Sequence, residues 1–275
     1  MVSFTRLFTT GLVAASAVAV PIAQPVTVEV QQRSTASSSK RGAAYNDVST
    51  VQPLTSSGGV SWAYNWAMSS WGQALPSNVE FVPMLWGAKD FGGWFAAIET
   101  ALSSGCGYIL GFNEPDIGSQ ANMSPSQAAG YYQNYITPFS GKAKLISPAV
   151  SSSTNAGMGL SWLGEFLNDC SSCGLSGLAV HWYGETAEQF KSHITQALSL
   201  AADHGIPEVW VTEFALSADV GGVTDASNTA AFLSEVLPWL DAQQGVSRYS
   251  YFMCAENYLV SGNALNQAGQ AYVSA

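Results

Sequence analysis

Charged residues are scarce in this sequence of 275 residues, since Asp, Glu, Lys and Arg together make up only 10%. Nine residues are Lys or Arg against nineteen Asp or Glu, which gives a net charge of −10 at pH 7. Nucleic-acid binding depends on clustered Lys and Arg side chains that neutralise phosphates. The composition therefore argues against a nucleic-acid partner. It suits a neutral ligand better.

Several cofactor signatures are also absent. No G-x-G-x-x-G follows the first apolar run, and no G-x-x-x-x-G-K-[ST] occurs anywhere. The three His residues are not spaced as a ligand cluster, and only one C-x-x-C is present, Cys170 to Cys173. We therefore expect no cofactor and no metal. In a secreted chain that C-x-x-C predicts a local disulfide, whereas Cys106 and Cys254 are expected not to pair.

The amino-terminal region has the pattern of a targeting segment. Arg6 precedes an apolar run, Leu12 to Val20, which is too short to span a bilayer. We interpret residues 1–20 as a signal peptide and residues 21–41, which end in Lys40-Arg41, as a propeptide with a dibasic processing site. The alternative is a disordered linker with a chance Lys-Arg pair. After processing, no membrane association is expected, and the product is expected to be a secreted monomer.

Residues 42–275 predict a single α/β domain. Short, nearly continuous apolar runs alternate with helical segments, which is the pattern of βαβ units around a parallel sheet. A (β/α)8 TIM-type barrel is favoured over an open doubly wound sheet. Seven strands are clear, and one strand between Trp66 and Gly107 is either weak or missing or lies in the loop around Ser69–Pro76, so the barrel is predicted to be reduced or irregular in its early strands. The seven runs are Val60–Trp66, Glu80–Trp86, Gly107–Glu114, Ala143–Val150, Gly177–Tyr183, Glu208–Ala215 and Arg248–Cys254.

Two of these runs end in a carboxylate. The first closes on Asn113-Glu114-Pro115 and the second on Thr212-Glu213-Phe214. The carboxyl ends of parallel strands form the active-site face of a barrel, and a Glu there is costly to bury without a use. Glycosidic hydrolysis needs such a pair, one to protonate the leaving oxygen and one to attack the sugar or activate water. A single strand-end Glu is as often a structural ion-pair residue, but the two together favour catalysis.

These stretches resemble glycoside hydrolase family 128 of clan A, the fungal-type endo-β-1,3-glucanases with an alkali-sensitive linkage protein-like core. The resemblance covers roughly residues 45–260. It implies a retaining mechanism in which Glu114 is the general acid/base and Glu213 the nucleophile, and it places Asn113 at the sugar 2-hydroxyl. The stretches that carry it are Leu110–Asp116, Ile146–Ala149, Ala179–Tyr183 and Trp210–Ala215.

Other polar and aromatic side chains at strand ends are candidates for binding a β-glucan. Aromatic rings stack on the apolar faces of pyranose rings, although each of these rings is equally consistent with a core position. Tyr183 is expected to orient Glu213, and Trp182 to stack on a sugar. The rival interpretations are a non-catalytic, wall-anchored glucan-binding protein and a hydrolase of another β-glycan. The candidates are Tyr64, Trp66, Trp86, His181, Trp182, Tyr183, Glu256 and Asn257.

Overall fold

The computed structural model describes residues 39–55 and 59–274. The predicted signal peptide and nearly all of the predicted propeptide lie outside the described residues. The α/β class is confirmed. A three-stranded parallel sheet has the order β1-β2-β3, a curled five-stranded parallel sheet has the order β4-β5-β6-β7-β8, and β9 pairs with β10 in a hairpin. The strands are β1 Gly42–Ala44, β2 Trp62–Tyr64, β3 Glu80–Phe81, β4 Tyr108–Ile109, β5 Lys144–Val150, β6 Leu175–Gly184, β7 Glu208–Leu216, β8 Val246–Tyr251, β9 Val260–Ser261 and β10 Ala264–Leu265.

Helices separate most of the parallel strands, and their starts are encoded locally. Ser124 caps the third helix, where its hydroxyl accepts a hydrogen bond from the Gln127 amide and Pro125 occupies the first turn. Thr186 and Gln189 form a reciprocal capping box on the fifth helix. The helices are α1 Gln52–Thr55, α2 Trp94–Ser103, α3 Pro125–Tyr135, α4 Gly159–Asp169, α5 Ala187–Asp203, α6 Ala226–Ala242 and α7 Gln267–Ser274.

Buried side chains fall into two layers on opposite faces of the sheets. The larger layer lies between the strands and the helices, and the smaller one lies on the inner face of the strands. Alternation along β6 illustrates the division: Leu178 and Val180 belong to the outer layer, and Ala179 to the inner one. Both layers exist because successive side chains of a strand point to opposite faces.

The predicted position of the eighth strand was wrong. Residues 69–76 form bends and turns, and the additional strand is β1, Gly42–Ala44, which precedes all seven predicted runs. Three small residues directly after a basic pair give no hydrophobic signal of their own, which explains the error. The predicted irregularity of the early part is present: β1 to β4 have two or three residues each, and the β2–β3 connection contains no helix.

Single parallel bridges link the two sheets on both sides. Met84 bridges Leu110 between β3 and β4, where the Leu110 amide donates to the Pro83 carbonyl over 2.9 Å. Tyr45 bridges Cys254 between β1 and the segment after β8, and the Cys254 amide donates to the Ala44 carbonyl over 2.8 Å. The two parallel sheets therefore contact each other at both of their edges.

Lys40 and Arg41 are anchored at the β1–β8 edge. The Lys40 ammonium donates to the carbonyls of Leu240, Asp241 and Gln243 at the end of α6, where the helix dipole favours a cation. Arg41 is 8% exposed, pairs with Asp241 over 2.9 Å and donates from Nε to the Tyr249 hydroxyl over 2.9 Å. Proteolysis after Arg41 would remove both side chains from these contacts.

The cysteine predictions are confirmed. Cys170 and Cys173 form a disulfide, with Cα atoms 5.2 Å apart. Cys106 and Cys254 are free thiols: the Cys106 thiol contacts the Tyr108 carbonyl, and the Cys254 thiol contacts the Thr50 carbonyl. Among the described residues, no helix has both the length and the apolar character needed to cross a membrane.

Arg41→Met should lower the free energy of unfolding by about 2–3 kcal/mol, because it removes a charged partner from both Asp241 and the Tyr249 hydroxyl and leaves them only the hydrogen bond that they make with each other. Lys142→Met is the matched control, since its 3.4 Å pair with Glu99 is exposed on both sides and should contribute about 0.5 kcal/mol or less. Urea unfolding of the three proteins measures the difference. Equal midpoints for the two variants would contradict a stabilising role for Arg41.

Candidate active site

Glu114 is positioned by a close contact between β4 and β5. A Cβ atom at Gly111 would lie 2.7 Å from the Pro148 backbone nitrogen, so only glycine allows this approach. The Glu114 amide then donates to the Ala149 carbonyl over 2.7 Å, and Glu114 itself has a left-handed backbone with φ 41°. Such a conformation is strained for a residue with a side chain and is typical of functional sites.

Glu213 is positioned by a β-bulge in β7. Val180 of β6 pairs with Val211, but the next residue, His181, pairs with Glu213, so Thr212 is the extra residue. Val211 and Phe214 both pack in the outer layer on either side of the bulge. A bulge of this kind redirects the following side chain. The Glu213 carboxylate therefore lies on the inner face beside β6.

The two carboxylates meet at one buried histidine. His181 Nδ1 lies 3.0 Å from Glu114 Oε1 and 3.4 Å from Glu213 Oε2, and the His181 side chain is fully buried. One oxygen from each carboxylate and one His181 nitrogen lie within 4.8 Å of one another. The sequence prediction that Glu114 and Glu213 come together is therefore correct in geometry, and His181 lies between them.

Two further donors hold Glu213. The Trp66 indole donates to Oε1 over 2.7 Å, and the Tyr183 hydroxyl donates to Oε2 over 2.5 Å. Glu213 is buried, whereas Glu114 is half-buried and has His181 as its side-chain partner. Glu213 is thus fixed by two neutral donors and suits an ionised carboxylate in a set position. Glu114 has fewer restraints and more contact with solvent.

The surroundings also shift the pKa values of the supporting groups. Burial lowers the pKa of His181, but the charge of Glu213 and the hydrogen bond and charge of Glu114 outweigh burial, so the pKa of His181 is raised. Burial, followed by the charge and hydrogen bond of Glu213, raises the pKa of Tyr183, so its hydroxyl remains a donor. Burial lowers the pKa of His193 to about 4, and its hydrogen bond with the His181 backbone opposes this effect only in part.

Glu114, His181 and Glu213 could in principle share a metal ion. Among the described residues, they are the one group of three or more His, Cys, Asp or Glu side chains whose ligand atoms are close enough to do so. Both oxygens of Glu213 already accept hydrogen bonds from Trp66 and Tyr183. The raised pKa of His181 favours its protonated form, which cannot ligate a metal. The donor set therefore fits acid–base chemistry better than a resident cation.

Asn113 directly precedes Glu114, and Trp86 is its neighbour on the adjacent strand segment. Asn113 is buried, its amide nitrogen donates to Gln120 Oε1 over 3.4 Å, and its Oδ1 has no hydrogen-bond partner among the described residues. Trp86 is half-buried, and the Lys89 ammonium lies 3.5 Å from the centre of its ring. The backbone amide of Asn113 donates to the backbone carbonyl of Trp86 over 3.0 Å. Both residues therefore remain candidates for substrate contact.

Tyr64 and Trp182 lie in the core. Tyr64 is fully buried, and its hydroxyl donates to the Thr212 carbonyl over 2.9 Å, so it lies beneath the site and supports the bulge. Trp182 is 3% exposed and stacks on Phe232 at 5.7 Å in the outer layer. Its predicted stacking on a sugar is wrong in geometry, because alternation along β6 directs His181 and Tyr183 inward and Trp182 outward.

Glu256 and Asn257 lie in the connection after β8 and are exposed. Glu256 Oε2 accepts a hydrogen bond from the Gly262 amide over 2.8 Å, which holds the β9–β10 hairpin. Asn257 has φ 65°, and its amide donates to the Val260 carbonyl. Asp116, two residues after Glu114, accepts hydrogen bonds from Ser151 and the Gly159 amide and so joins the two neighbouring loops.

Phe252 is a site residue that the sequence analysis missed. Its ring lies 5.9 Å from Trp66 and 5.7 Å from Tyr183, so it contacts both donors to Glu213. It lines a cavity of about 450 Å³ together with Tyr183, Leu216 and the loop after β7. The period-two pattern of Arg248, Ser250 and Phe252 along the last strand could have identified it, since Tyr249 and Tyr251 occupy the outer layer.

Comparison with known proteins agrees with this geometry. The model of the family described as "Glycosyl hydrolase catalytic core" matches residues 42–272. A GH128 subgroup III curdlan-specific exo-β-1,3-glucanase from Blastomyces gilchristii, solved in complex with glucose, is 42% identical with a TM-score of 0.79. That match covers 86% of this chain and 99% of the other. The chain belongs to glycoside hydrolase family 128.

Two further members of the comparison are more distant. A GH128 subgroup I endo-β-1,3-glucanase mutant from Amycolatopsis mediterranei, in complex with laminaripentaose, is 28% identical with a TM-score of 0.71, over 86% of this chain and 99% of the other. Alkali-sensitive linkage protein 1 of Schizosaccharomyces pombe is 31% identical over 231 residues, which are 78% of this chain. The present family 128 chain spans only 40% of that relative's length.

His181 and His193 have pKa values shifted in opposite directions, so they should make the stability of the protein depend on pH in opposite directions. The raised pKa of His181 means that its contribution is complete below about pH 6.5 and decreases as the pH rises through the folded pKa. The lowered pKa of His193, about 4, makes wild-type stability decrease as the pH falls from 6.5 towards 4. Melting temperatures of wild type, His181→Gln and His193→Gln from pH 4 to 9 measure both effects.

We expect the advantage of wild type over His181→Gln to shrink above pH 6.5. The advantage over His193→Gln should shrink below pH 6.5 instead. Parallel pH curves for wild type and His181→Gln would show that the Glu114–His181–Glu213 contacts do not perturb this group.

Trp66→Phe and Trp182→Phe form a matched pair. The first removes the donor to Glu213 and keeps a ring, so kcat should fall by about tenfold to a hundredfold while stability changes little. The second removes packing from the outer layer, so stability should fall by about 1–2 kcal/mol with kcat nearly unchanged. Steady-state kinetics and urea unfolding distinguish them. A larger loss of kcat in Trp182→Phe would restore Trp182 to the site.

Proposed function

We propose that this family 128 enzyme is a retaining β-1,3-glucanase in which Glu213 is the nucleophile and Glu114 the general acid/base. The separation of the carboxylates carries the proposal, since an oxygen of each lies within 4.8 Å of the other. Retaining glycosidases need their carboxyl groups about 5–5.5 Å apart, whereas inverting enzymes need about 6.5–9.5 Å to admit a water. Two of the relatives are β-1,3-glucanases, which supports the substrate class.

The different surroundings of the two carboxylates support the assignment of roles. Glu213, held by Trp66 and Tyr183, attacks the anomeric carbon and forms a glycosyl-enzyme while Glu114 protonates the leaving oxygen. Glu114 then removes a proton from water, which attacks the same carbon and releases Glu213. Glu114 is half-buried and so meets both the leaving group and the incoming water. Its contact with His181 provides a partner for its charge.

We also infer that the two parallel sheets form one closed (β/α)8 barrel. The bridges Met84–Leu110 and Tyr45–Cys254 support closure at both edges, and the inner layer draws side chains from both sheets. The barrel would then be irregular through its short early strands and its helix-free β2–β3 connection. In this arrangement Glu114 follows the fourth strand and Glu213 lies in the seventh.

Endo cleavage and an extracellular location extend the proposal. The relatives include an exo-acting and an endo-acting enzyme, so product analysis on β-1,3-glucan decides between the two modes of cleavage.

We propose a secreted monomer of the cell wall or medium, with residues 1–20 as signal peptide. Processing after Arg41 remains a prediction, tested by the intact mass of the secreted protein. A mature chain that begins near Gly42 would lack the Lys40 and Arg41 contacts.

The first experiment is proton NMR of the reaction on a β-1,3-glucan, with a panel of pure β-glycans for substrate class. A retaining enzyme releases the β-anomer first. Initial release of the α-anomer would contradict retention, and cleavage of mannan or xylan in preference to β-1,3-glucan would contradict the substrate class. Binding without cleavage would favour a non-catalytic glucan-binding protein.

Azide rescue separates the two carboxylate roles. Glu213→Ala should lose turnover, and azide should restore cleavage of an activated aryl β-glycoside to give the α-glycosyl azide, because azide takes the place of the nucleophile. Glu114→Ala should still form the glycosyl-enzyme from that substrate, and azide should then yield the β-azide. The reverse pattern of products would exchange the assigned roles.

A further inference from the structure

The connection between β2 and β3 carries two Trp residues in an unusual conformation. Trp66 has φ 56° and Trp71 has φ 53°, both in the left-handed region that a large side chain rarely adopts. Trp66 has an evident use, because its indole donates to Glu213. Trp71 is 68% exposed and is the most exposed large hydrophobic residue among those that the structure describes.

Hydrogen bonds within the loop hold this conformation. The Asn65 side chain donates to the Ser69 carbonyl over 3.1 Å and accepts from the Ala67 amide over 3.2 Å. The Ser69 hydroxyl accepts from the Trp71 amide over 3.3 Å, and the Gln73 amide donates to the Ser70 carbonyl. Trp71 exposes a large apolar ring to water and has a backbone conformation that favours glycine, and both features lower stability. We therefore look for its role in binding a ligand rather than in packing the core.

The loop lies at the catalytic end of the domain. β2 is parallel to its neighbours, so the segment after Tyr64 leaves from the same end as Glu114 and Glu213. Trp71 is five positions after Trp66, which limits the distance between their Cα atoms to about 18 Å even for an extended chain. The contact between Asn65 and Ser69 shortens this reach. Trp71 therefore lies within a few sugar units of the nucleophile.

We propose that Trp71 is a distal platform for the β-1,3-glucan chain, on which a pyranose several units from the cleaved bond stacks. The inference rests on the proposed function and extends it to chain-length preference. A Trp ring offers a flat apolar face to the C–H face of a sugar. The loop thus fixes one Trp against the nucleophile and a second one along the path of the polysaccharide, and binding energy from the second grows with substrate length.

The test is the kinetics of Trp71→Asn on laminarioligosaccharides from laminaritriose to laminariheptaose. Asn accepts a left-handed backbone, so this variant removes the ring without straining the loop. We expect KM to rise about tenfold for the longest substrates, with no change for the shortest one that is cleaved and with kcat unchanged. The melting temperature should stay the same or rise by about 2 °C. Trp71→Phe should retain part of the length dependence.

Phe95→Ala is the matched control, because Phe95 is also exposed but lies on α2. It should leave KM unchanged at every length. An equal rise of KM at all lengths, no rise at any length, or the same rise in Phe95→Ala would each overturn the role of Trp71. Failure of the proposed function is distinguishable, since wild type would then cleave none of these substrates.

Discussion

The site depends on keeping two carboxylates of like charge close together. When both are ionised, their nearest oxygens lie within 4.8 Å of each other, and two unit charges at that distance repel by about 3 kcal/mol or more at an effective dielectric constant near 20. His181 offsets this repulsion because its Nδ1 is within 3.4 Å of both acids and its raised pKa favours a cation. Trp66 and Tyr183 complete the arrangement by donating to Glu213. The remaining features of the inner face act by fixing these donors.

Strand register determines which side chains reach the site. A regular β7 would alternate Val211 outward, Thr212 inward and Glu213 outward, and the bulge changes this order so that Glu213 faces inward and Phe214 returns to the outer layer. In β6 no bulge is needed, since His181 and Tyr183 already share a face. The same inner face is occupied at the opposite end by Arg248, which lies 4.1 Å from the Tyr108 ring centre and pairs with Glu80 over 2.7 Å. Chemistry is thus confined to the carboxyl ends of the strands.

The features that could be predicted from the sequence are those that a local residue pattern encodes. The predictions failed for features that depend on contacts between distant parts of the chain. Glu114 and Glu213 were found because each lies at or near the end of an apolar run. Trp182 was misassigned because a run of three polar or aromatic residues was considered as a unit, although strand alternation divides it. β1 was missed since Gly42–Ala44 has neither length nor large side chains, and its place is defined by its pairing with β2 and by the bridges of Arg41 and Tyr45 to Tyr249 and Cys254. The environment of Arg41 depends in the same way on Asp241 and Tyr249, which are some 200 positions away.

The short first strand matters to the site although it contributes no catalytic side chain. β1 pairs with β2 on one side, and the residues that flank β1 form bridges with β8 and the segment after it on the other side. The loop after β2 supplies Trp66. Phe252 directly follows β8 and packs against Trp66, with the ring centres 5.9 Å apart. Trp66 in turn donates to Glu213. A shift of β1 would therefore separate the two elements that hold the nucleophile. In the unprocessed chain, this links the anchoring of Lys40 and Arg41 at one end of β1 to the position of Glu213 at the other.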